Sequence, residues 1–170
     1  ILTTLPAAAE INAVSRLVHD GGEHGVCLLT SEGRVQCVEL GDAPWRRADA
    51  LRPMLVDVTA ALHDVQALAL ADRGGAMGEH VGCALLGDGS VRCWGDNSDG
   101  QLGDGTFTSR RRPEPVVGLP KVVAIGVGRD HACARTQDGR VFCWGSARRG
   151  AAGLGLPPVR TSPVAVAAGR

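Results

Sequence analysis

Three segments of the 170-residue chain repeat one another, and this repetition constrains the fold more than any single residue does. The segments read HGVCLLTSEGRVQCVE from His24, HVGCALLGDGSVRCWG from His80 and HACARTQDGRVFCWG from His131. Their first cysteines lie 56 and then 50 residues apart, at positions 27, 83 and 133. A period of about 50 residues indicates a propeller or solenoid. In such proteins each unit has a hydrophobic face that only its neighbours cover.

All six cysteines belong to these repeats, as three pairs ten residues apart, with a glycine (Gly33, Gly89 or Gly139) in the turn between them. A three-residue hairpin loop favours glycine at its third position, because that residue is left-handed. This register places the two cysteines of each pair face to face, within disulfide distance. We therefore expect three disulfides and an oxidising compartment, which is extracellular, periplasmic or the cell surface. The expected pairs are Cys27–Cys37, Cys83–Cys93 and Cys133–Cys143.

Two other interpretations of the cysteines stay open. They could be reduced and packed as small hydrophobic residues in a cytosolic protein. Alternatively, one histidine and two cysteines per repeat are residue types that zinc accepts. The His–Cys spacing shortens at His131, however, and no fourth ligand is evident. We therefore expect no metal and no cofactor.

Short apolar stretches precede each hairpin and predict further strands. In the third repeat they are 115–120 and 122–128, and the second stretch has counterparts at 65–71 and 11–18. Four short strands in about 50 residues, separated by glycine turns, have the size of one propeller blade. The arginine run at 110–112 stands beside two prolines and predicts a solvated loop.

The stretch after the second hairpin, CWGDNSDGQLGDGT, resembles the repeat of the regulator of chromosome condensation family. The third repeat keeps only part of that motif, with Ala147 in place of the asparagine and 151–152 in place of Gln-Leu. In the first repeat the motif is lost, and Trp45 with 46–62 looks like an insertion. The matching residues are Trp94, Gly95, Asn97, Gly100, Gln101, Leu102 and Gly103, followed by Trp144 and Gly145 in the third repeat.

This resemblance implies an all-β fold: an open arc of about three four-stranded blades, as a fragment of a seven-bladed β-propeller. The arc would span 1–170 as a single domain, and its open edges would favour self-association or completion by further blades. The cysteines make the chain more similar to secreted, disulfide-containing bacterial members than to nuclear ones. The expected repeat units are 8–56, 57–112 and 113–160, with 161–170 as a closing strand or the start of another blade.

Several residues invite a chemical role that their context argues against. His24, His80 and His131 recur once per unit, so we expect them to be structural, with ring nitrogens bonded to nearby backbone. The loop at 96–100 lacks the glutamate of a calcium-binding EF-hand, and turn chemistry explains its Asp and Asn residues. No set of nucleophile, base and orienting residue is visible. We therefore expect no enzymatic activity.

The remaining hypothesis is a non-enzymatic scaffold that binds another protein through its blade loops. The formal net charge is zero and no apolar run approaches the about 20 residues of a membrane span, so we expect neither nucleic acid nor a membrane as the partner. Analogy with relatives leaves two alternatives: an inhibitor of a secreted enzyme such as a β-lactamase, and a guanine-nucleotide exchange factor for a small GTPase. We expect Trp94 and Trp144 to pack against the neighbouring blade. The expected partner-binding residues are Trp45, Phe107, Arg110, Arg111, Arg112, Arg148 and Arg149.

Overall fold

A computed structural model of the protein describes residues 14–19, 25–30, 35–39, 54–57, 62–72, 80–148 and 158–166. These residues form twelve β-strands and no α-helix. The strands make three four-stranded antiparallel sheets, and in each sheet the strand order follows the chain. The first sheet holds β1 (Val14–His19), β2 (Gly25–Thr30), β3 (Val35–Glu39) and β4 (Met54–Asp57). The second holds β5 (Val65–Asp72), β6 (His80–Leu86), β7 (Val91–Gly95) and β8 (Arg110–Pro115), and the third holds β9 (Val122–Val127), β10 (His131–Thr136), β11 (Val141–Ser146) and β12 (Val159–Ala165).

The central hairpin of each sheet has the register that the sequence predicts. Cys83 lies opposite Cys93 in the second sheet and Cys133 opposite Cys143 in the third, with Cα atoms 4.1 Å apart and a disulfide in each case. In the first sheet Cys27 lies opposite Cys37, and Cys27 is disulfide-bonded. The predicted hairpins are therefore correct, and the sulfur bridges of the second and third sheets join the expected cysteines.

The glycine of each described hairpin loop explains its geometry. In the second sheet Leu86 and Ser90 flank a three-residue loop, and the Leu86 amide donates to the Ser90 carbonyl at 2.9 Å. The third loop residue, Gly89, has φ +84°, and Gly139 takes the same place in the third sheet with φ +85°. An L-residue rarely adopts this left-handed conformation, so glycine fits the turn without strain. Gly33 lies outside the described residues.

The fourth strand of each sheet follows the hairpin along the chain. Strand β8 pairs with β7, whereas the sequence indicated a solvated loop at 110–112 and a strand at 115–120. This expectation was wrong because β8 is the outermost strand in its sheet, where Pro113 and Pro115 need no ladder hydrogen bond on their open side. The segment 46–62, interpreted as an insertion, likewise contains β4, which pairs with β3. Strand β12 completes the third sheet in the same way.

The three sheets stack side by side along an open arc. Their first strands are neighbours, since β1 contacts β5 and β5 contacts β9. Hydrophobic clusters fill the two interfaces. The three-sheet, open propeller predicted from the sequence is therefore the fold observed. The cluster between the first and second sheets contains Cys27, Leu29, Val35, Leu62, Val65, Leu68, Ala84, Leu86 and Trp94, and that between the second and third contains Val81, Cys83, Leu85, Val91, Cys93, Leu102, Val116, Val122, Ala132, Ala134 and Trp144.

Candidate functional site

The segment 96–109, which we call the clasp loop, connects two strands of the second sheet and is held by many internal hydrogen bonds. It leaves β7 and returns to the same sheet as β8. Asn97, which is fully buried, organises it. The Asn97 side-chain amide nitrogen, Nδ2, donates to the Thr106 carbonyl at 3.0 Å and to the Thr108 carbonyl at 3.1 Å. Its side-chain oxygen accepts the Leu102 amide hydrogen at 3.0 Å. One asparagine therefore holds both arms of the clasp loop.

Gln101 fixes the first arm of the clasp loop in a similar way. Its side chain is fully buried, donates to the Asp96 carboxylate at 2.7 Å and accepts from the Asp99 amide at 2.8 Å. Buried amide groups are costly without partners, and these contacts satisfy both ends of the side chain. Leu102, the next residue, is fully buried in the cluster between the second and third sheets.

The clasp loop also joins the second sheet to the third. The Trp144 indole nitrogen on β11 donates to the Gln101 carbonyl at 2.8 Å, and Trp144 is only 1% exposed. The Gly105 amide donates to the Thr161 carbonyl on β12 at 2.9 Å. Trp94 lies on the second sheet and belongs to the cluster shared with the first. Each tryptophan therefore packs against the preceding sheet, as the sequence analysis expected.

Asp104 ties the second arm of the clasp loop to β8. Its carboxylate accepts from the Thr106 amide at 2.9 Å and hydroxyl at 2.7 Å, and from the Arg110 guanidinium at 3.1 Å. Partial burial raises the pKa of Asp104, but hydrogen bonds from Thr106, Arg110 and Asn97 outweigh it and lower the pKa below its ordinary value. Asp104 is therefore ionised and neutralises Arg110.

Phe107 lies in this arm and is 59% exposed, the largest exposed fraction among the large hydrophobic residues that the structure describes. The carbonyls on either side of it, those of Thr106 and Thr108, are the ones that Asn97 binds. The Ser109 hydroxyl accepts a hydrogen bond from the Asn97 backbone amide at 3.1 Å. The fold thus holds the backbone around Phe107 while leaving its ring in solvent.

Two of the three adjacent arginines share this exposure. Arg111 and Arg112 are exposed on β8, whereas Arg110 is half-buried and paired with Asp104. Arg148 is exposed beyond β11 in the third sheet. The structure therefore leaves three of the predicted partner-binding residues of the second sheet exposed, with Phe107 in the clasp loop and Arg111 and Arg112 on β8. Trp45, Arg149 and His24, which the sequence analysis also singled out, lie outside the described residues.

The contact of the His131 ring differs from the expected one. The His131 Nδ1 atom lies 2.9 Å from an Asp130 carboxylate oxygen, so its partner is a side chain rather than the predicted backbone. The Gly128 amide donates to the His131 carbonyl at 2.8 Å, and the imidazole lies directly over Gly128. Within the described ranges, no group of three or more His, Cys, Asp or Glu residues is arranged to hold a metal ion.

Sequence reasoning missed the residues that complete the clasp loop. Three of them form hydrogen bonds with Asn97: Asp104, Thr106 and Ser109. The fourth, Thr161 on β12, accepts the hydrogen bond from the Gly105 amide of the clasp loop. The signal for Asp104 was its spacing two residues before a threonine, a pattern in which the carboxylate accepts the later amide. For Thr161 there was no signal, because a backbone carbonyl carries out its role.

Comparison with known proteins agrees with the fold. Family models described as the regulator of chromosome condensation (RCC1) repeat match residues 88–135 and 122–151. The chain is similar to Prp20p, the RCC1 of yeast (Saccharomyces cerevisiae), with 19% sequence identity and a TM-score of 0.65 over 91% of this chain and 38% of Prp20p. In the structure of yeast RCC1 bound to Kap60 the identity is 18% and the TM-score 0.64, over 91% of this chain and 37% of that chain. It is similar to human WBSCR16 at 19% identity and a TM-score of 0.58, over 89% and 37% of the two chains. Among curated proteins, none matches the chain by sequence.

The chain thus spans less than two fifths of the length of these propellers. Residues 88–151 match the RCC1 repeat models, and the arc has the fold of the RCC1 propellers. In the described part of the chain there is no helix that is long and apolar enough to cross a membrane.

Proposed function

We propose that this RCC1-type propeller arc is a non-enzymatic scaffold that binds another protein through its blade loops. The observation that carries the proposal is the presentation of Phe107. An exposed aromatic ring on a loop held by buried hydrogen bonds loses little conformational freedom on binding, which favours affinity. Aromatic and arginine side chains are also the commonest energetic anchors of protein interfaces.

The structural relatives support binding of a macromolecular partner. One is described in complex with Kap60, and the same yeast protein is described through its binding to Gsp1p and histones. Their fold is shared with this chain, whereas identities of 18–19% are too low to carry over a partner. The loops that differ between repeats are therefore the sensible place to look for specificity.

We also propose that the protein works in an oxidising compartment, that is outside the cell, in a periplasm or at a cell surface, and that it belongs with the bacterial secreted members. The disulfides in the second and third sheets support this location, because a cytosolic thiol pool keeps most cysteines reduced. The same bridges argue against nucleotide exchange on a cytosolic GTPase. Nucleotide exchange stays the alternative function, and the likeness to yeast Prp20p, which is described by its binding to Gsp1p, is what supports it.

The test is capture of a partner by the full chain compared with a Phe107→Ser variant. Secreted protein from a bacterial culture is passed over each immobilised protein, and captured species are identified and then purified. The matched control is Val117→Ser, which removes a second exposed hydrophobic residue, 42% exposed, in the turn after β8. We expect a purified partner to bind the parent and the control about equally and the Phe107 variant at least about tenfold more weakly, as at interface anchors.

A partner that binds all three proteins equally would overturn the assignment to this loop. Capture of a secreted hydrolase that loses activity on binding would identify the protein as an inhibitor. Binding of a GTPase with faster nucleotide release would instead identify an exchange factor and remove the scaffold proposal.

A further inference from the structure

We propose that the Cys133–Cys143 disulfide is a thiol-exchange site, at which a small anionic thiol attacks the Cys133 sulfur and forms a mixed disulfide. This inference goes beyond the proposed binding function and concerns a different part of the molecule. It depends on three features: the position of this disulfide on its sheet, an open approach to one of its two sulfurs, and a positive charge beside that approach.

The disulfide of the third sheet lies on the face turned away from the second sheet, which we call the outer face. Ala132 and Ala134 belong to the cluster between these two sheets, and Cys133 lies on the opposite face because side chains alternate along a strand. The Cys83–Cys93 disulfide belongs to that cluster, and its cysteines are 1% and 0% exposed. Cys133 is half-buried instead. Of these two disulfides, the one in the third sheet is therefore the one that a solute can reach.

The order of the strands opens the approach to one sulfur. A thiolate displaces a disulfide sulfur in line with the S–S bond, so it approaches from the side away from the leaving sulfur. Beyond Cys133 this line crosses β9, where the directly opposite residue is Gly126. Gly126 is exposed, and a Cβ built on it would have no heavy atom within 4 Å. Beyond Cys143, which is 3% exposed, the line crosses β12, where Val164 lies opposite. The structure therefore favours attack on Cys133.

Arg135 places a positive charge beside this approach. It lies on the outer face two residues along β10 from the attacked cysteine, a distance of about 7 Å. It is exposed and forms no ion pair with any residue that the structure describes. Its neighbours across the sheet, Ala124 on β9 and Val141 on β11, are uncharged. Asp130, before the start of the strand, lies 2.9 Å from the His131 ring. The charge of Arg135 therefore favours a thiol that also carries a carboxylate or sulfonate.

The exchange needs no oxidant. The thiolate forms a bond to the Cys133 sulfur while the bond to Cys143 breaks. The electron pair of that bond leaves on the Cys143 sulfur, which takes up a proton from water. The products are a mixed disulfide at Cys133 and a thiol at Cys143.

The test measures initial rates of adduct formation on the oxidised full chain with mercaptoethanesulfonate, mercaptoethanol and cysteamine, which are anionic, neutral and cationic. Maleimide caps the released thiols, and peptide mass spectrometry locates adduct and cap. Each rate is divided by the rate of the same thiol with a small neutral disulfide, which removes differences in intrinsic nucleophilicity. Gly126→Leu covers the approach, and Val123→Leu changes an exposed residue of the same strand as its control. Arg135→Leu removes the charge, and Arg111→Leu removes an exposed arginine of the second sheet as its control.

We expect the adduct on Cys133 and the cap on Cys143. Gly126→Leu should slow the reaction about tenfold and Val123→Leu should leave it unchanged, because only the first blocks access. The anionic thiol should react roughly fivefold faster than the cationic one, and this preference should disappear in Arg135→Leu and at high salt but persist in Arg111→Leu.

Four results would overturn the proposal. They are an adduct on Cys143, equal rates for the two leucine variants of β9, a charge preference that survives Arg135→Leu, and a disulfide that no thiol modifies. The last result is expected if another sheet covers the outer face in solution. None of them bears on partner binding through Phe107, which is tested separately.

Discussion

The interface between the second and third sheets makes a quantitative prediction for Gly103→Ala. Gly103 has φ +68°, and a Cβ built on it would lie 2.7 Å from the Trp144 indole nitrogen and 2.9 Å from a Val116 methyl group. Gly118 is its matched control, because it has φ +72° but a Cβ there would have no heavy atom within 4 Å. Both changes place alanine in the left-handed region, which costs about 1 to 2 kcal/mol. Only the first adds a collision.

The collision has little room to relax. Trp144 is 1% exposed and its indole nitrogen is bonded to the Gln101 carbonyl at 2.8 Å, so the ring can move only by giving up that bond. Overpacking a core costs about 1 to 3 kcal/mol, and the lost hydrogen bond about 1 kcal/mol more. We therefore expect Gly103→Ala to lower the free energy of unfolding by about 3 to 6 kcal/mol and Gly118→Ala by about 1 to 2 kcal/mol.

Urea denaturation followed by tryptophan fluorescence measures the difference. With a slope of about 2 kcal/mol per molar urea, the midpoint of Gly103→Ala should lie about 1 to 2 M below that of Gly118→Ala. Equal midpoints would show that backbone conformation alone sets the cost of both changes, and would refute the claim that the clasp loop and Trp144 are rigidly packed.

Three further predictions concern the same region and its disulfides. Asn97→Ala should destabilise the protein by about 3 to 4 kcal/mol and accelerate hydrogen exchange at the Leu102 amide, because that buried donor loses its acceptor. The control Ser98→Ala changes an exposed neighbour and should alter stability by less than about 1 kcal/mol, so equal effects of the two changes would contradict the role of Asn97. The Cys133–Cys143 disulfide should be reduced before Cys83–Cys93 under limiting reductant, because Cys133 is half-buried whereas Cys83 is 1% and Cys93 0% exposed; stepwise alkylation with mass spectrometry gives the order, and the reverse order would disagree with the burial. The lowered pKa of Asp104 contributes stability that is present above its ordinary pKa of 3.8 and is lost as pH falls through the lower pKa of the folded state. The urea midpoints of the parent and of Asp104→Asn should therefore converge in strong acid, and a constant difference between the two midpoints from pH 7 to pH 2 would exclude this linkage.

The hairpins of the fold were predictable from the sequence because their determinants are local. A cysteine pair ten residues apart and a glycine in the third loop position together define strand register, and Cys83–Cys93 and Cys133–Cys143 follow from it. The fourth strands were not predictable in this way. RRRPEP has neither the alternation nor the composition of a strand, and it is extended because β7 offers it an edge.

The site was predicted only in part for the same reason. The motif residues Asn97 and Gln101 were recognisable by type, whereas Asp104, whose carboxylate accepts the Thr106 amide two residues later, was missed. The hydrogen bonds that hold Phe107 span nine to eleven residues from Asn97, and the contact between Trp144 and Gln101 spans 43. Such contacts depend on how the sheets meet, which composition and spacing do not reveal.

The hydrogen bond from Trp144 to the Gln101 carbonyl makes the order of the repeats matter. Its acceptor lies in the loop that follows the second hairpin, and the corresponding segment of the first repeat has lost that motif. A chain in which the third repeat directly followed the first would therefore lack the loop that receives the indole hydrogen. The repeats share one hairpin design but are not interchangeable.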